Sequence, residues 1–180
     1  DSNENNRRAY RELLFSTKGL EEAISGVILF DETLRTAAGD GTPFSQLLSN
    51  KGIMPGIKVD KGPVDIPGFP GETVTEGLDG LRARVREYKE LGAKFAKWRA
   101  VITIGDGIPT ANCLVANAHA LARYAALCQE GGIVPIVEPE VLLDGNHTIE
   151  RCEEVTQETL RLTFATLLEQ RVHLEGMILK

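Results

Sequence analysis

The stretch Ile133-Val134-Pro135-Ile136-Val137-Glu138-Pro139-Glu140 follows directly on Gly131-Gly132 and is apolar almost to its end, where two acids appear. Its length suits a buried strand, and the paired glycines suit the end of a helix. The residues before it supply that helix, because Leu114, Ala118, Leu121, Ala125 and Cys128 share one face at helical spacing. Before them, Ala93 to Thr103 reads as another strand. Beyond Glu140, Leu160, Phe164, Leu167 and Leu168 mark a further helix, and Leu174 to Lys180 a terminal strand. Strands alternating with helices of this length imply crossover connections and a parallel sheet, so the class is α/β.

The first half of the chain continues the pattern. A polar helix over Asn5 to Thr17, with Tyr10, Leu13 and Leu14 on one side, precedes a compact buried strand, Ile24 to Phe30. A turn at Gly39-Asp40-Gly41 and a short helix around Phe44 to Leu48 lead to a strand at Gly56-Ile57-Lys58-Val59-Asp60. Gly62 to Gly71, dense in Gly and Pro, reads as a loop. Leu78, Leu81, Val85 and Tyr88 then place the next helix. Neither GxGxxG nor GxxxxGK[ST] follows the first strand, which favours a barrel over a doubly wound nucleotide-binding sheet. With no repeat, linker or low-complexity tract, residues 1–180 read as a single domain.

The 180 residues carry a net charge of −6 with basic and acidic residues interspersed, which argues against a nucleic-acid partner. No apolar run reaches the length of a membrane span, and the start does not resemble a signal peptide, so no membrane partner and a cytoplasmic location are expected. Cys113, Cys128 and Cys152 form no CxxC and read as reduced thiols on helices. His119, His147 and His173 lack zinc-ligand spacing. The chain begins without methionine and stops within a strand pattern, as an internal piece of a longer polypeptide would.

Charges stand where a core is expected. Side chains alternate along a strand, so Lys97 and Arg99 in Phe95-Ala96-Lys97-Trp98-Arg99-Ala100-Val101 share a face, and Trp98 faces the other way into a strand–helix core. Glu138 and Glu140 share a face likewise, as do Lys58 and Asp60, while Lys180 closes the last strand. Each group has an ordinary explanation. Lys58 and Asp60 could solvate in the following loop, Lys97 and Arg99 could mark an edge strand, and the two glutamates could flank an irregular, proline-broken end. Recurrence on successive strands, always towards the carboxyl end, weighs against all three, because in a parallel barrel those ends meet on the face that holds active sites.

The segments Gly56-Ile57-Lys58-Val59-Asp60-Lys61-Gly62, Phe95-Ala96-Lys97-Trp98-Arg99, Ile133 to Glu140 and Leu174-Glu175-Gly176-Met177-Ile178-Leu179-Lys180 resemble those of class I fructose-bisphosphate aldolases. The resemblance extends in order and spacing over essentially the whole chain, through Gly26 to Phe30, Gly77 to Leu81 and Leu121 to Ala125. It implies a (β/α)8 TIM barrel of which about five strands are present here. It also implies a cofactor- and metal-independent aldol cleavage of fructose 1,6-bisphosphate to dihydroxyacetone phosphate and glyceraldehyde 3-phosphate, usually by a homotetramer. By the same matching Lys180 is the Schiff-base lysine, Glu138 the acid/base, Glu140 its support and Lys97 an aid to proton transfer. Lys58 and Arg99 match residues on the 6-phosphate side of the substrate, and Asp60 is expected with them among the substrate-binding residues. Complete members of the family are longer, so a preceding strand with a catalytic aspartate and the strands holding the 1-phosphate are expected outside this chain, which alone should be inactive.

The implied chemistry is physically coherent. A lysine attacks a carbonyl only as the neutral amine, so Lys180 needs surroundings that disfavour its ammonium form, which burial and a second ammonium such as Lys97 provide. Glu138 should shuttle protons near neutral pH, with the neighbouring carboxylate of Glu140 raising its pKa. Two rival readings are a non-catalytic binding or scaffold role of the same cationic pocket, and another Schiff-base sugar-phosphate aldolase.

Overall fold

The computed structural model describes residues 2–180. Helix α1 (Glu4–Ser16) starts at Asn3, whose side chain accepts the amide of Asn6. Strand β1 (Gly26–Leu29) leads through the short helices α2 (Asp31–Leu34) and α3 (Phe44–Asn50) to β2 (Met54–Lys58). Then come β3 (Gly62–Asp65), β4 (Thr73–Glu76), α4 (Leu81–Glu90), β5 (Phe95–Ile102) and α5 (Ala111–Gly131). The chain ends with β6 (Val134–Val141), α6 (Ile149–Glu169) and β7 (Ile178–Leu179). Helix α5 is delimited as its sequence suggests, by Thr110, whose hydroxyl accepts the amide of Cys113, and by Gly132 in the left-handed region at φ 72°.

The main sheet is parallel and five-stranded, in the order β1-β2-β5-β6-β7. Each strand is added on the same side as the one before. A doubly wound sheet instead reverses its order and carries helices on both faces. Here Ala96, Trp98, Ala100 and Ile102 of β5 are buried while Phe95, Lys97, Arg99 and Val101 are only half-buried, so helices cover one face alone. One-way winding with a single helical layer is the wall of a (β/α) barrel, and these strands form an arc of it.

The covered face holds the core. Trp98 lies 5.5 Å from the Tyr124 ring, and the Tyr124 hydroxyl donates to the carbonyl of Ile136 at 3.1 Å. Leu121, Ala125, Cys128, Val137 and Leu167 close around them, each fully buried. Removing the larger of these, Leu121, Val137 and Leu167, from water contributes roughly 1.5–3 kcal/mol apiece. No helix among the described residues is long and apolar enough to cross a membrane.

Several expectations change. The Gly62–Gly71 segment is not all loop, because β3 pairs antiparallel with β4 to form a separate hairpin. Tyr10, Leu13 and Leu14 do not face the core, since α1 buries Phe15 against Phe44 and leaves all three exposed. The first strand is shorter than Ile24 to Phe30 and partly open, because its second face lines the uncovered side of the sheet. The terminal strand shrinks to Ile178–Leu179 after a 3₁₀ turn at Leu174–Gly176. Neither strand-based ordinary explanation of the charges survives. Strand β5 is central, and β6 runs unbroken through both prolines. The amides of Val134 and Leu142 donate to the carbonyls of Lys94, just before β5, and Ile102, at its end, so by parity the positions of Pro135 and Pro139 face away from β5 and cost that pairing no ladder donor.

Candidate active site

Residues in register on a parallel sheet point the same way, and the register stacks the open face in layers. Gly56, Phe95 and Val134 form the lowest layer, Lys58, Lys97, Ile136 and Ile178 the next, and Arg99 with Glu138 the third. Lys180, whose amide donates to the carbonyl of Val137 at 2.9 Å, continues the register beside Glu138. Glu140 stands one step higher, opposite Val101. The floor is apolar for a steric reason. The Phe95 ring lies across β2, where a Cβ on Gly56 would stand 2.3 Å from it, and against β1, where one on Gly26 would stand 3.0 Å away.

Above that floor the charges interlock. Glu138 is bound between two ammonium groups, Lys97 Nζ at 3.0 Å from Oε2 and Lys180 Nζ at 2.5 Å from Oε1. The side chains of Glu138 and Lys97 are only 5% and 14% exposed, whereas that of Lys180 is 59% exposed. Burial pushes the Glu138 carboxyl up, but the hydrogen bond from Lys180 and the nearby Lys97 outweigh it and hold the group below the ordinary carboxylate value. The expected upward push from Glu140 does not prevail, because Glu140 is engaged by the Arg99 guanidinium. The Arg99 pKa is raised chiefly by that hydrogen bond, with Glu138 and Asp60 adding to it.

Lys58 and Asp60 form an ion pair, but Asp60 is not a free ligand. Its carboxylate, 2% exposed, also accepts the amides of Gly62 at 3.1 Å and Arg99 at 3.2 Å. Solvation of this pair in the loop, the ordinary alternative, is therefore not what the chain does. Lys58, Asp60, Glu140 and Lys180 stand at or just beyond the carboxyl ends of β2, β6 and β7, whereas Arg99 and Glu138 lie in mid-strand and Lys97 is third of the eight residues of β5, so the expected carboxyl-end placement does not hold for Lys97. The water-poor setting expected for the whole cluster holds for Glu138 and Lys97 and not for Lys180, which follows the two-residue strand at the sheet's edge. Lys58, Lys97, Arg99 and Lys180 face Asp60, Glu138 and Glu140, leaving one excess positive charge in a chain of net charge −6. Such a face favours an anion.

The composition of this face conceals a second set of residues that its charges do not announce. Thr75 donates from its hydroxyl to the Arg99 carbonyl at 2.7 Å, and the buried Asn117 of α5 accepts the Thr75 amide at 3.3 Å and donates to the Thr73 carbonyl at 2.8 Å. Glu72, also buried, accepts both the amide and the hydroxyl of Thr110 at 2.6 and 2.7 Å. The alternation Thr73-Val74-Thr75 was the available sign that β4 presents two hydroxyls to one side.

Comparison with known proteins gives a consistent picture. The family model for glycolytic fructose-bisphosphate aldolase class I matches residues 1–180. A probable fructose-bisphosphate aldolase class 1 of Xanthomonas campestris pv. campestris is 64% identical over the whole chain, which covers 54% of that relative. Fructose-bisphosphate aldolase 6, cytosolic, of Arabidopsis thaliana is 54% identical over 98% of the chain and 49% of its own length. The solved structure of a Plasmodium falciparum fructose-bisphosphate aldolase, in complex with TRAP and a small-molecule inhibitor, superposes with a TM-score of 0.96 at 51% identity, covering 99% of this chain and 52% of that one. The chain thus spans about half the length of the relatives it matches.

Proposed function

The chain belongs to the class I fructose-bisphosphate aldolases, and on that premise we propose that it supplies the Schiff-base half of an enzyme that cleaves fructose 1,6-bisphosphate reversibly into dihydroxyacetone phosphate and glyceraldehyde 3-phosphate. The observation that carries the reading is the Glu138 carboxylate shared by the Lys97 and Lys180 ammonium groups on a face of excess positive charge.

From that geometry the roles follow. A proton passes from Lys180 Nζ to Glu138 Oε1, which already touch, and the neutral amine adds to the ketose carbonyl. Loss of the Lys180 charge removes one of the two cations that hold Glu138 down, so the carboxyl gains proton affinity as the amine loses its proton. Protonated Glu138 then gives its proton to the departing hydroxyl of the carbinolamine, and water leaves. Glu138, a carboxylate again, takes the C4 hydroxyl proton while the iminium accepts the C3–C4 bonding electrons, forming an enamine and releasing the aldehyde. Lys97 remains beside Glu138 throughout and balances its charge. Arg99 and Lys58 attract the 6-phosphate. Asp60 acts at one remove, by fixing Lys58 and the backbone of Arg99. Glu140 serves by holding the Arg99 guanidinium.

Residues 1–180 form one domain in this reading, an open part of a barrel that needs further strands for turnover. The complete protein is taken to be a cytosolic homotetramer acting on sugar phosphates, in keeping with the cytosolic plant relative. A scaffold role and other Schiff-base aldolases are not favoured, since matches over the whole chain name fructose-bisphosphate aldolases. Borohydride reduction of the complete polypeptide with dihydroxyacetone phosphate, followed by peptide mapping, should place a covalent adduct on Lys180. No adduct at saturating ligand would leave only a binding role.

A further inference from the structure

The ladder between β2 and β5 stops early. Its last rung is the Val59 amide on the Lys97 carbonyl, at 3.1 Å. In a parallel ladder the same residue would next accept the Arg99 amide, and residue 61 would donate to the Arg99 carbonyl. Neither happens. The Val59 carbonyl accepts the Arg84 guanidinium at 2.9 Å, and the Lys61 amide turns to Glu76 at 2.9 Å. The backbone of Arg99 is left open on that side, and two side chains fill the gap: Asp60 accepts its amide and Thr75 donates to its carbonyl. A third, the Thr73 hydroxyl, reaches the Val101 carbonyl at 3.4 Å.

This substitute ladder has an anchor of its own. Asn117, buried on α5, holds the backbone of β4 at both Thr73 and Thr75, and Glu72 fastens the β3–β4 hairpin to the first turn of α5 through Thr110. Buried polar groups of this kind are costly unless satisfied, and each of these is satisfied by a partner on the hairpin, β5 or α5. Arg99 itself is long and its side chain is 41% exposed, so its reach is set by where its backbone sits.

We propose that Thr75 and Asn117 are positioning residues that set the place of the Arg99 guanidinium, and that through it they tune affinity for the distal phosphate of a bisphosphorylated sugar. The inference rests on the aldolase reading, and the hairpin is its new element: a strand outside the barrel wall that stands in for β2 at the level where the phosphate is bound.

The test uses the complete enzyme and two substrates, fructose 1,6-bisphosphate and fructose 1-phosphate, which lacks the distal phosphate. Thr75→Val keeps the shape and removes the hydroxyl. It should raise KM for the bisphosphate about tenfold, the size of one lost buried hydrogen bond, with kcat within about twofold. The constants for fructose 1-phosphate should not move. Thr75→Ser should restore the wild-type KM, and Asn117→Ala should reproduce the Thr75→Val pattern. Equal loss on both substrates, or no change on either, overturns the proposal while the aldolase reading stands. Wild-type enzyme inert towards both sugars overturns that reading, and the proposal with it.

Discussion

Replacing Glu138 by glutamine tests how the cluster is held together. The carboxylate is almost wholly buried and neutralises two cations of very different exposure. Without it, Lys180 can turn to water at little cost, because exposed ion pairs contribute no more than about 1 kcal/mol. Lys97 cannot, and a buried charge stripped of its partner costs about 3 kcal/mol at the low end of such cases. Lys97→Met is the milder change, since Glu138 keeps the Lys180 ammonium, and about 1 kcal/mol is expected. With a urea dependence of about 2 kcal/mol per molar, Glu138→Gln should lower the unfolding midpoint by about 1.5 M and Lys97→Met by about 0.5 M. Far-UV circular dichroism of the complete polypeptide in urea would read both. The asymmetry is the diagnostic feature. If Lys97→Met proves as damaging as Glu138→Gln, Glu138 is not the hub, and the mutual neutralisation described above is wrong.

Three further outcomes are expected. The Glu138 pKa is held below its ordinary 4.5, so its contribution to stability is complete above that pH and fades as pH falls towards the folded-state value; the stability gap between wild type and Glu138→Gln should narrow below pH 4.5, and a gap constant down to pH 3 would contradict this. Gly56→Ala would drive a Cβ into the Phe95 ring and should cost about 1–3 kcal/mol, a loss that calorimetry should find largely absent when Phe95→Leu is introduced with it. Arg171 holds φ 57° just after α6, where an L side chain is strained, so Arg171→Gly should leave the thermal midpoint unchanged or raise it, by up to about 1 kcal/mol in stability.

The legible parts of the sequence were those whose period is enforced by burial on one side. Leu114 to Cys128 and Phe95 to Ile102 fixed their elements because one face of each meets the core without interruption. The β3–β4 hairpin was not legible, because Gly62, Pro63, Gly68, Pro70 and Gly71 signal turns, and β3, which contains the first two, and β4, which follows the last, pair only with each other. The stripe of Tyr10, Leu13 and Leu14 misled for the opposite reason, being periodic yet exposed. At the site, parity along the strands was enough to pick out Lys97, Arg99, Glu138 and Glu140 as neighbours. It could not reveal which partner each would choose. The prediction for the Glu138 pKa failed on that point, since Glu140 was already bound to Arg99 and two cations remained beside Glu138.

The same distinction separates the two kinds of residue that build the cleft. Lys58, Lys97, Arg99, Glu138 and Lys180 are visible in the sequence because charges are out of place in buried strands. Thr73, Thr75, Asn117 and Glu72 are not, because a threonine in a strand or an asparagine in a helix is unremarkable until its partner is known. Thr73 and Thr75 partner main-chain carbonyls of β5 that β2 leaves unpaired when it turns away after Val59, and Asn117 and Glu72 hold the hairpin in place there. A wall that must open towards its carboxyl ends to admit a ligand gives up ladder bonds there, and buried amides and carbonyls so exposed must find other partners. The hairpin meets that demand at Arg99, one of the strand positions that carries a cation into the cleft.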